Sequence, residues 1–184
     1  MQSKYLGDSY DLVKRCWSEI LRPIAPLYAH KRFVPAPMAT EYETVTTIPV
    51  LDVAHAKLPQ SPFGILLDPD TGIPLPKETP ASVTRAHAPL EFIIELFDNL
   101  RPHYMICFDQ SCHRKHALGR KEQMDKKMAF LHNHAVFSFY YCSHAPFLFM
   151  TKDGMQLQNV FDRLVWAGIP KERFMNCKTR PEAS

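Results

Sequence analysis

The chain has 184 residues, of which 46% are hydrophobic and 22% charged, and its net charge is +3. This length suits one domain, so we expect a single α/β domain over residues 1–184 that buries about 70% of its unfolded surface. The near-neutral charge makes no case for a nucleic-acid protein or a disordered tail. With only 6 glycines against 16 prolines, collagen-like repeats, Gly/Ser linkers and glycine-rich cofactor loops are poorly supported.

The sequence predicts a cytoplasmic protein with no membrane partner. No apolar run approaches the roughly 18 residues of a membrane helix, and residues 1–8 lack a charged and then apolar leader. The five cysteines include no Cys-x-x-Cys pair, which fits a reducing compartment. Cys16, Cys107 and Cys142 have apolar neighbours and are predicted to be core side chains. The oligomeric state stays open.

The first predicted element is an amphipathic helix that Asp8 or Ser9 can cap and that Pro23 ends. Its apolar positions repeat at helical spacing and comprise Leu12, Val13, Cys16, Trp17, Ile20 and Leu21. Eleven of the sixteen prolines then fall between Pro23 and Pro80. Because X-Pro steps disfavour long helices, we expect a proline-rich irregular segment near 23–80.

Regular elements follow in alternation. Residues 64–67 form a short apolar strand, and a helix over about 88–100 starts at Pro89. The apolar run 104–108 suits a strand buried on both faces. Then come a helix over 120–132, a strand over 136–142 and a second strand over 147–150. A last helix is closed by Gly168 at its C′ position, with Pro170 just beyond.

Strands that alternate with helices form βαβ units with right-handed crossovers. The chain is therefore predicted to fold as a three-layer α/β domain with a largely parallel, Rossmann-like sheet. In such a sheet, ligands bind outside the carboxyl ends of the strands, so the residues after each strand are the candidates for a site. Polar residues follow three of the predicted strands, at 68–72, 109–114 and 143–144.

Three carboxylates at two neighbouring strand ends are typical of a site for Mg²⁺ or Mn²⁺, which favour oxygen ligands. Asp68, Asp70 and Asp109 are the predicted ligands, and the ion they hold would activate water against a phosphoryl group. The alternative for residues 68–72 is a simple turn, since each of their residue types is favoured in turns. Asp109 follows a buried strand directly and is the stronger candidate.

A basic segment at 113–127 carries six Lys and Arg residues against two acidic ones. Basic side chains between a strand end and a helix N-terminus suit phosphate, although a solvated helix face is the alternative interpretation. His144 follows the third strand, where a histidine can transfer a proton near neutral pH. The predicted phosphate-binding residues are Lys14, Ser111, His113, Arg114, Lys115 and Arg120.

These residues lead to a first hypothesis, an enzyme that cleaves phosphodiester bonds in a nucleic acid or nucleotide with the help of a metal ion. Asp68, Asp109 and His144 are its predicted catalytic residues. A hypothesis from a different class is a non-catalytic interaction module in which the polar strand ends are turns and the aromatic residues are core.

Two short motifs resemble a known family. Residues 7–15, Gly-Asp-Ser-Tyr-Asp-Leu-Val-Lys-Arg, are similar to the N-terminal motif of bacterial ribosomal-RNA adenine-N6 methyltransferases, which has Gly-Asn, then Asp, two aliphatic residues and Lys-His. Residues 68–71, Asp-Pro-Asp-Thr, are similar to that family's Asp-Pro-Pro-Tyr, which receives the target amine. Asp70 stands in place of the second proline and Thr71 in place of the aromatic residue.

The resemblance implies a second hypothesis, a methyltransferase-like protein that binds S-adenosylmethionine in a Rossmann-like fold. It implies a closing strand pair in the second half of the chain, and it places Asp11 and Lys14 at the same edge as Asp68. Only about 40 residues separate Pro23 from Gly64, so we expect the family's usual nucleoside-binding strands and helices to be missing there.

Overall fold

The computed structural model describes residues 6–52, 59, 62–76, 86–111, 118–144 and 146–175. Five α-helices lie in these residues: α1 (Ser9–Leu21), α2 (Ala39–Thr46), α3 (Leu90–Leu100), α4 (Arg120–His132) and α5 (Gly154–Trp166). The strands are β1 (Leu27–His30), β2 (Val50–Leu51), β3 (Gly64–Leu67), β4 (Tyr104–Phe108), β5 (Phe137–Tyr141), β6 (Phe147–Thr151) and β7 (Phe174–Met175). Short 3-10 helices span Ala36–Met38 and Lys171–Arg173.

The strands form one mixed sheet in the order β2-β1-β3-β4-β6-β5-β7. From β2 to β4 all neighbours are parallel, whereas β6 is antiparallel to both β4 and β5, and β7 is antiparallel to β5. The connection at 142–146 joins β5 to β6 and is too short for a parallel pair, because a parallel neighbour needs a crossover of a dozen or more residues. These two strands are therefore antiparallel. The predicted α/β class and the mostly parallel sheet are thus confirmed.

Helices cover both sides of the sheet and give three layers. On the first face, α1, α2 and α5 pack over a core that includes Trp17, Leu66 and Phe149. On the second face, α3 and α4 pack over a core that includes Leu67, Cys107 and Met128. Side chains of a strand alternate between these two cores, as the period of two requires. Which face a residue joins therefore decides which helices it meets.

The expectation of an irregular segment near 23–80 was partly wrong. Two parallel strands, β1 and β2, and helix α2 lie between Pro23 and Gly64, on the outer side of β3. They gave little sequence signal because β1 has four residues, β2 has two, and α2 has eight. Short strands and a short helix therefore lie in a span whose length predicted that elements of the usual size would be missing.

Helix α1 begins where predicted but turns a different face inward. Asp8 caps it by accepting hydrogen bonds from the amides of Tyr10 (2.8 Å) and Asp11 (3.2 Å). Leu12 is 56% exposed and Cys16 is also exposed, so their predicted core positions were wrong. Charged residues occupy the inner face together with apolar ones, which rotates the helix relative to the purely apolar pattern; the buried set is Asp11, Lys14, Trp17, Ser18 and Leu21.

Other local predictions are confirmed. Helix α3 begins directly after Pro89, and Gly168 follows α5 with φ +95°, the left-handed conformation that closes a helix. Cys107 is buried as predicted, and Cys142 is half-buried. None of the helices in the described residues is long and apolar enough to span a bilayer.

Candidate site at the carboxyl edge of the sheet

The chain changes direction across the sheet between β1 and β3. From β1 it passes to β2 on one side, and it then returns to β3 on the other side of β1. Such a switch point leaves a crevice outside the carboxyl ends of the two strands, and ligands of open α/β sheets bind in that crevice. His30 ends β1, and Asp68 directly follows β3. These two strand ends define the candidate site.

A buried lysine joins α1 to the end of β3. Lys14 Nζ lies 2.6 Å from Asp68 Oδ2 and 2.9 Å from Asp11 Oδ1, and the lysine is only 4% exposed. Asp11 Oδ2 in turn accepts a hydrogen bond of 2.8 Å from the amide of Gly7. The Lys14 cluster, comprising Asp11, Lys14 and Asp68, therefore joins residues 7–15 to residues 68–71 at this edge of the sheet.

The charges of the Lys14 cluster do not cancel. Burial alone would lower the pKa of Lys14, but the charges of Asp68 and Asp11 outweigh it, so the pKa of Lys14 is raised. Burial raises the pKa of Asp68; the attraction of Lys14 offsets this only in part, and repulsion from Asp11 adds to it. Lys14 thus stays charged, while Asp68 is the carboxylate that takes up a proton more readily than usual.

Asp68 retains hydrogen-bonding capacity. Its Oδ2 is held by Lys14, whereas its Oδ1 accepts no hydrogen bond from any residue in the described part of the chain. Nearby, the hydroxyl of Tyr42 on α2 is fully buried and also has no partner among the described residues. Burial and the charges of Asp68 and Asp11 raise the pKa of Tyr42, so this hydroxyl keeps its proton.

A second buried lysine holds Asp109, which follows β4. Asp109 Oδ2 lies 2.8 Å from Lys127 Nζ on α4 and accepts a hydrogen bond of 2.8 Å from the hydroxyl of Tyr140 on β5. Its Oδ1 accepts hydrogen bonds from the amides of Ile73 (2.9 Å) and Ser111 (3.1 Å) and from the Ser111 hydroxyl (2.6 Å). This Lys127 cluster satisfies both oxygens of a carboxylate that is completely buried.

The electrostatics of the Lys127 cluster favour the charged carboxylate. Burial would raise the pKa of Asp109, but the charge of Lys127 and the hydrogen bonds from Ile73, Lys127 and Ser111 lower it further than burial raises it.

A glycine is needed at position 72, beside Asp109, because its φ is +94° and a Cβ there would lie 2.6 Å from the amide nitrogen of Gln110. The loop after β3 is therefore built around Asp109.

The two aspartates point to opposite faces of the sheet. Leu67 pairs with Cys107 across β3 and β4, so Asp68 comes one residue and Asp109 two residues after that pair. Successive side chains alternate, and accordingly Asp68 meets α1 on the first face while Asp109 meets α4 on the second. No three His, Cys, Asp or Glu side chains in the described ranges are grouped to hold a metal ion, so the predicted set of Asp68, Asp70 and Asp109 is not assembled.

The other predicted site residues are dispersed. The Arg120 guanidinium donates a hydrogen bond to the carbonyl of Ser143, which fixes the loop after β5. His144 is exposed, with its ring 5.8 Å from that of Tyr10 on α1, so it lies at the same edge as the Lys14 cluster. Asp70 is exposed. The predicted phosphate ligands His113, Arg114 and Lys115 lie outside the described residues, and Lys14 and Ser111 are held in the two clusters.

Three polar residues at the ends of β1 and β2 were missed by sequence reasoning. Asp52 follows β2 and forms an ion pair with Lys31. His30 Nε2 and Arg32 Nε are both buried and have no partner among the described residues. A signal for them existed in the run His-Lys-Arg at 30–32, but the strand that precedes it was too short to be recognised.

Lys127 was also missed, and here the sequence held a clear signal. It stands on α4 within the apolar spacing of Met124, Met128 and Leu131, all of which are buried. A lysine on the buried face of a helix requires a buried anionic partner, which Asp109 provides. The neighbouring basic residues are typical of a solvated helix face, and they obscured this single inward position.

The sequence matches no protein-family model, and no curated protein or solved structure is significantly similar to it. The Lys14 cluster and the end of β1 border the switch point and keep hydrogen-bonding groups without partners among the described residues. The Lys127 cluster satisfies both oxygens of its carboxylate internally.

Proposed function

We propose that this protein binds a nucleoside-containing cofactor, S-adenosylmethionine, in the crevice between β1 and β3, and transfers its methyl group to an amine of a nucleic acid or nucleotide. The observation that carries the proposal is the 2.6 Å contact between Lys14 and Asp68. It unites two motifs that lie 54 residues apart and that resemble the same family of methyltransferases. The antiparallel pair of β5 and β6 agrees with the closing strand pair that the resemblance implies.

The residues at the crevice fit a nucleoside. Dinucleotide-binding sheets place an acidic residue about 20 residues after the first strand, where it accepts hydrogen bonds from ribose hydroxyls. Asp52 has this position, since it follows β2 and β2 is parallel to β1. Asp52 would hold the ribose, and the unpartnered donors of His30 and Arg32 lie at the end of the adjacent strand. No glycine-rich loop is present, so the phosphate-binding turn of dinucleotide sites is replaced by a basic one.

Asp68 is the group that would meet the target amine. Lys14 fixes one of its oxygens and leaves Oδ1 to accept a hydrogen bond from an N–H group. When bound, S-adenosylmethionine supplies an electrophilic methyl group. The amine must lose a proton when it gains a methyl group, and the raised pKa of Asp68 suits this carboxylate to receive that proton at Oδ1. Asp11 and Lys14 act as positioning residues.

Metal-assisted cleavage of phosphodiesters stays a prediction with less support, because its three carboxylates do not form one ligand set. The non-catalytic module also stays a prediction. It would leave unexplained why a buried carboxylate with a raised pKa lies at the switch point with one oxygen unused by the described residues. Burying such a group has a cost, and structural carboxylates are usually satisfied in the way Asp109 is.

The proposal is tested by binding of S-adenosylhomocysteine, the product form of the cofactor, measured by isothermal titration and by the shift in melting temperature. We expect wild-type protein to bind it, and a concentration 100 times the Kd to stabilise the fold by about 2.7 kcal/mol. Transfer of a labelled methyl group to total RNA and to DNA is the second readout. Absence of both binding and transfer would overturn the proposal.

Two variants sharpen this experiment. Asp68→Asn should retain cofactor binding and lose methyl transfer, because the cofactor contacts are assigned to other residues. Asp162→Asn, an exposed position on α5, is the matched control and should change neither. Stabilisation by Mn²⁺ and a mononucleotide without any response to S-adenosylhomocysteine would favour the phosphodiesterase instead, and no response to any of these ligands would favour the interaction module.

A further inference from the structure

The turn after β1 holds a histidine in a defined tautomer. The amide of Arg32 donates a hydrogen bond of 3.1 Å to His30 Nδ1, and the amide of Phe33 donates one of 3.1 Å to the carbonyl of His30. Burial, with a further contribution from the charge of Arg32, lowers the pKa of His30 to about 4, although Asp52 opposes this shift. The ring is therefore neutral near pH 7, and because Nδ1 accepts, Nε2 carries the proton.

Two donors of this turn have no acceptor in the part of the chain that the structure describes. His30 is 5% exposed, and its Nε2 is buried without a partner among the described residues. Arg32 Nε is buried in the same way. Leaving a buried donor unsatisfied destabilises the fold, and more so when the group is charged. Two such donors within three residues, at the end of a strand that borders the switch point, indicate that the acceptor is not part of the described chain.

Aromatic residues hold these donors in place. The guanidinium carbon of Arg32 lies 4.4 Å from the ring centre of Phe92 on α3, a distance typical of a cation stacked on an aromatic face. The His30 ring contacts the same Phe92 ring edge to face, with 5.6 Å between centres. Phe33 lies beside both, 6.0 Å from His30 and 5.8 Å from the guanidinium. The donors are thus fixed before any ligand arrives.

We propose that the turn at His30 and Arg32, the β1 turn, is an anion subsite that binds a carboxylate or phosphate group of the ligand. An anionic oxygen satisfies both a neutral N–H of histidine and a guanidinium N–H, and hydrogen bonds to charged groups are stronger than those between neutral groups. A metal ion is unsuited to this turn, since both unpartnered atoms are donors. The inference rests on the proposed function in that the subsite lies in the crevice assigned to the cofactor.

The test compares three probes that share adenosine: adenosine itself, adenosine 5′-monophosphate and S-adenosylhomocysteine. We expect wild-type protein to bind one or both of the anionic probes more tightly than adenosine, by about tenfold or more. A tenfold difference in Kd corresponds to about 1.4 kcal/mol. Preference for the monophosphate identifies phosphate as the anion, and preference for S-adenosylhomocysteine identifies its carboxylate. Equal binding of all three probes would overturn the subsite.

Two variants remove the donors one at a time. Arg32→Gln should reduce the preference to within about threefold. His30→Asn lacks the Nε2 donor, but its side chain can still accept a hydrogen bond from the Arg32 amide. It should weaken the preference less than Arg32→Gln does, because the donor it removes is neutral. Arg15→Gln, an exposed arginine of α1 paired with Glu19, is the matched control and should keep the full preference. An unchanged preference in both Arg32→Gln and His30→Asn would contradict the inference.

A last measurement separates this inference from the proposed function. The rise in melting temperature from sodium chloride to sodium phosphate at equal ionic strength should be larger for wild-type protein than for Arg32→Gln, which keeps only the general stabilisation of folded proteins by phosphate. If no adenosine compound binds but this phosphate effect is present, the subsite is right and the cofactor assignment is wrong. If adenosine compounds bind but phosphate acts equally on both proteins and the variants keep the anion preference, the cofactor assignment stands and the subsite is wrong.

Discussion

Two buried clusters of lysine and aspartate lie at one edge of the sheet in the part of the chain that the structure describes, and they differ in which carboxylate oxygens they use. Asp109 accepts hydrogen bonds through both oxygens from Lys127, Tyr140 and the adjoining loop, and its pKa is lowered. Asp68 is held through one oxygen by Lys14, and its pKa is raised. Two buried clusters of the same residue types therefore differ: the Lys127 cluster uses both oxygens of its carboxylate within the fold, whereas the Lys14 cluster leaves Oδ1 of Asp68 without a hydrogen bond from the described residues.

The largest expected effect distinguishes the two lysines. Lys127→Met leaves the charge of Asp109 buried without its cation, and we expect a loss of about 3–5 kcal/mol in the free energy of unfolding. Lys14→Met should cost less, because Asp68 can take up a proton in response. Urea unfolding followed by circular dichroism measures both values. Equal losses would show that the two clusters are equally structural.

The next effect concerns the loop around Asp109. Gly72→Ala forces a side chain into a left-handed backbone conformation and against the amide of Gln110. We expect the free energy of unfolding to fall by about 1–3 kcal/mol from the backbone strain, and further from the clash. Gly168→Ala is the control, since its φ of +95° is similar but a Cβ there meets open space. Thermal unfolding of both variants separates the backbone strain from the clash. If Gly168→Ala costs as much, the tight packing around Asp109 contributes nothing measurable.

A smaller effect is expected when the charge of Asp68 is removed. Asp68→Asn loses a hydrogen bond from Lys14 but also relieves a buried charge, so the free energy of unfolding should change by no more than about 1 kcal/mol. Lys14 keeps Asp11 as its partner. Chemical denaturation at neutral pH measures this. A loss as large as that of Lys127→Met would assign Asp68 a structural role and weaken the proposed function.

The smallest effect is the dependence of stability on pH, where the two aspartates have opposite signs. The folded pKa of Asp109 lies below the ordinary 3.8, so its stabilising contribution is present above pH 3.8 and is lost as the pH falls through the folded pKa. The folded pKa of Asp68 lies above 3.8, so its contribution is present below pH 3.8 and is lost as the pH rises through the folded pKa.

This sign difference is measured with the two asparagine variants in acid titrations of unfolding free energy. We compare the free energy of unfolding of wild-type protein with that of each variant. The difference between wild type and Asp109→Asn should shrink as the pH falls below 3.8. The difference between wild type and Asp68→Asn should shift in favour of wild type as the pH falls from neutrality towards 3.8. Parallel slopes for the two variants would mean that the environments of the two carboxylates are alike.

The sequence predicted the long helices and the central strands well, because their apolar positions have a clear period. Helix α4 was predicted over its full range, and both strand ends that carry Asp68 and Asp109 were located. Register was not accessible, since a shift of one residue between β3 and β4 leaves the composition of both strands unchanged. That single residue puts the two aspartates on opposite faces, which is why a shared metal site was plausible from sequence and is not assembled.

Short elements and buried charges account for the remaining differences. Strands β1 and β2 have too few residues to show a period, so the basic turn at His30 and Arg32 could not be placed at a strand end. In α1 the inward face includes Asp11 and Lys14, and a reading that places only apolar residues inside puts Cys16 in the core by error. In that helix an ion pair takes inward positions that apolar residues would otherwise hold, so the apolar pattern alone gives the wrong face.

The position of Trp17 has a consequence for how the chain folds. Its indole packs edge-on against Tyr141, Phe147 and Phe149, at 5.1, 5.8 and 5.5 Å between ring centres. The β5–β6 hairpin lies far from α1 along the chain, so these ring contacts are long-range ones that form only when both segments have come together. Burial of Trp17 therefore reports the docking of α1 on the hairpin, and indole fluorescence would follow that step.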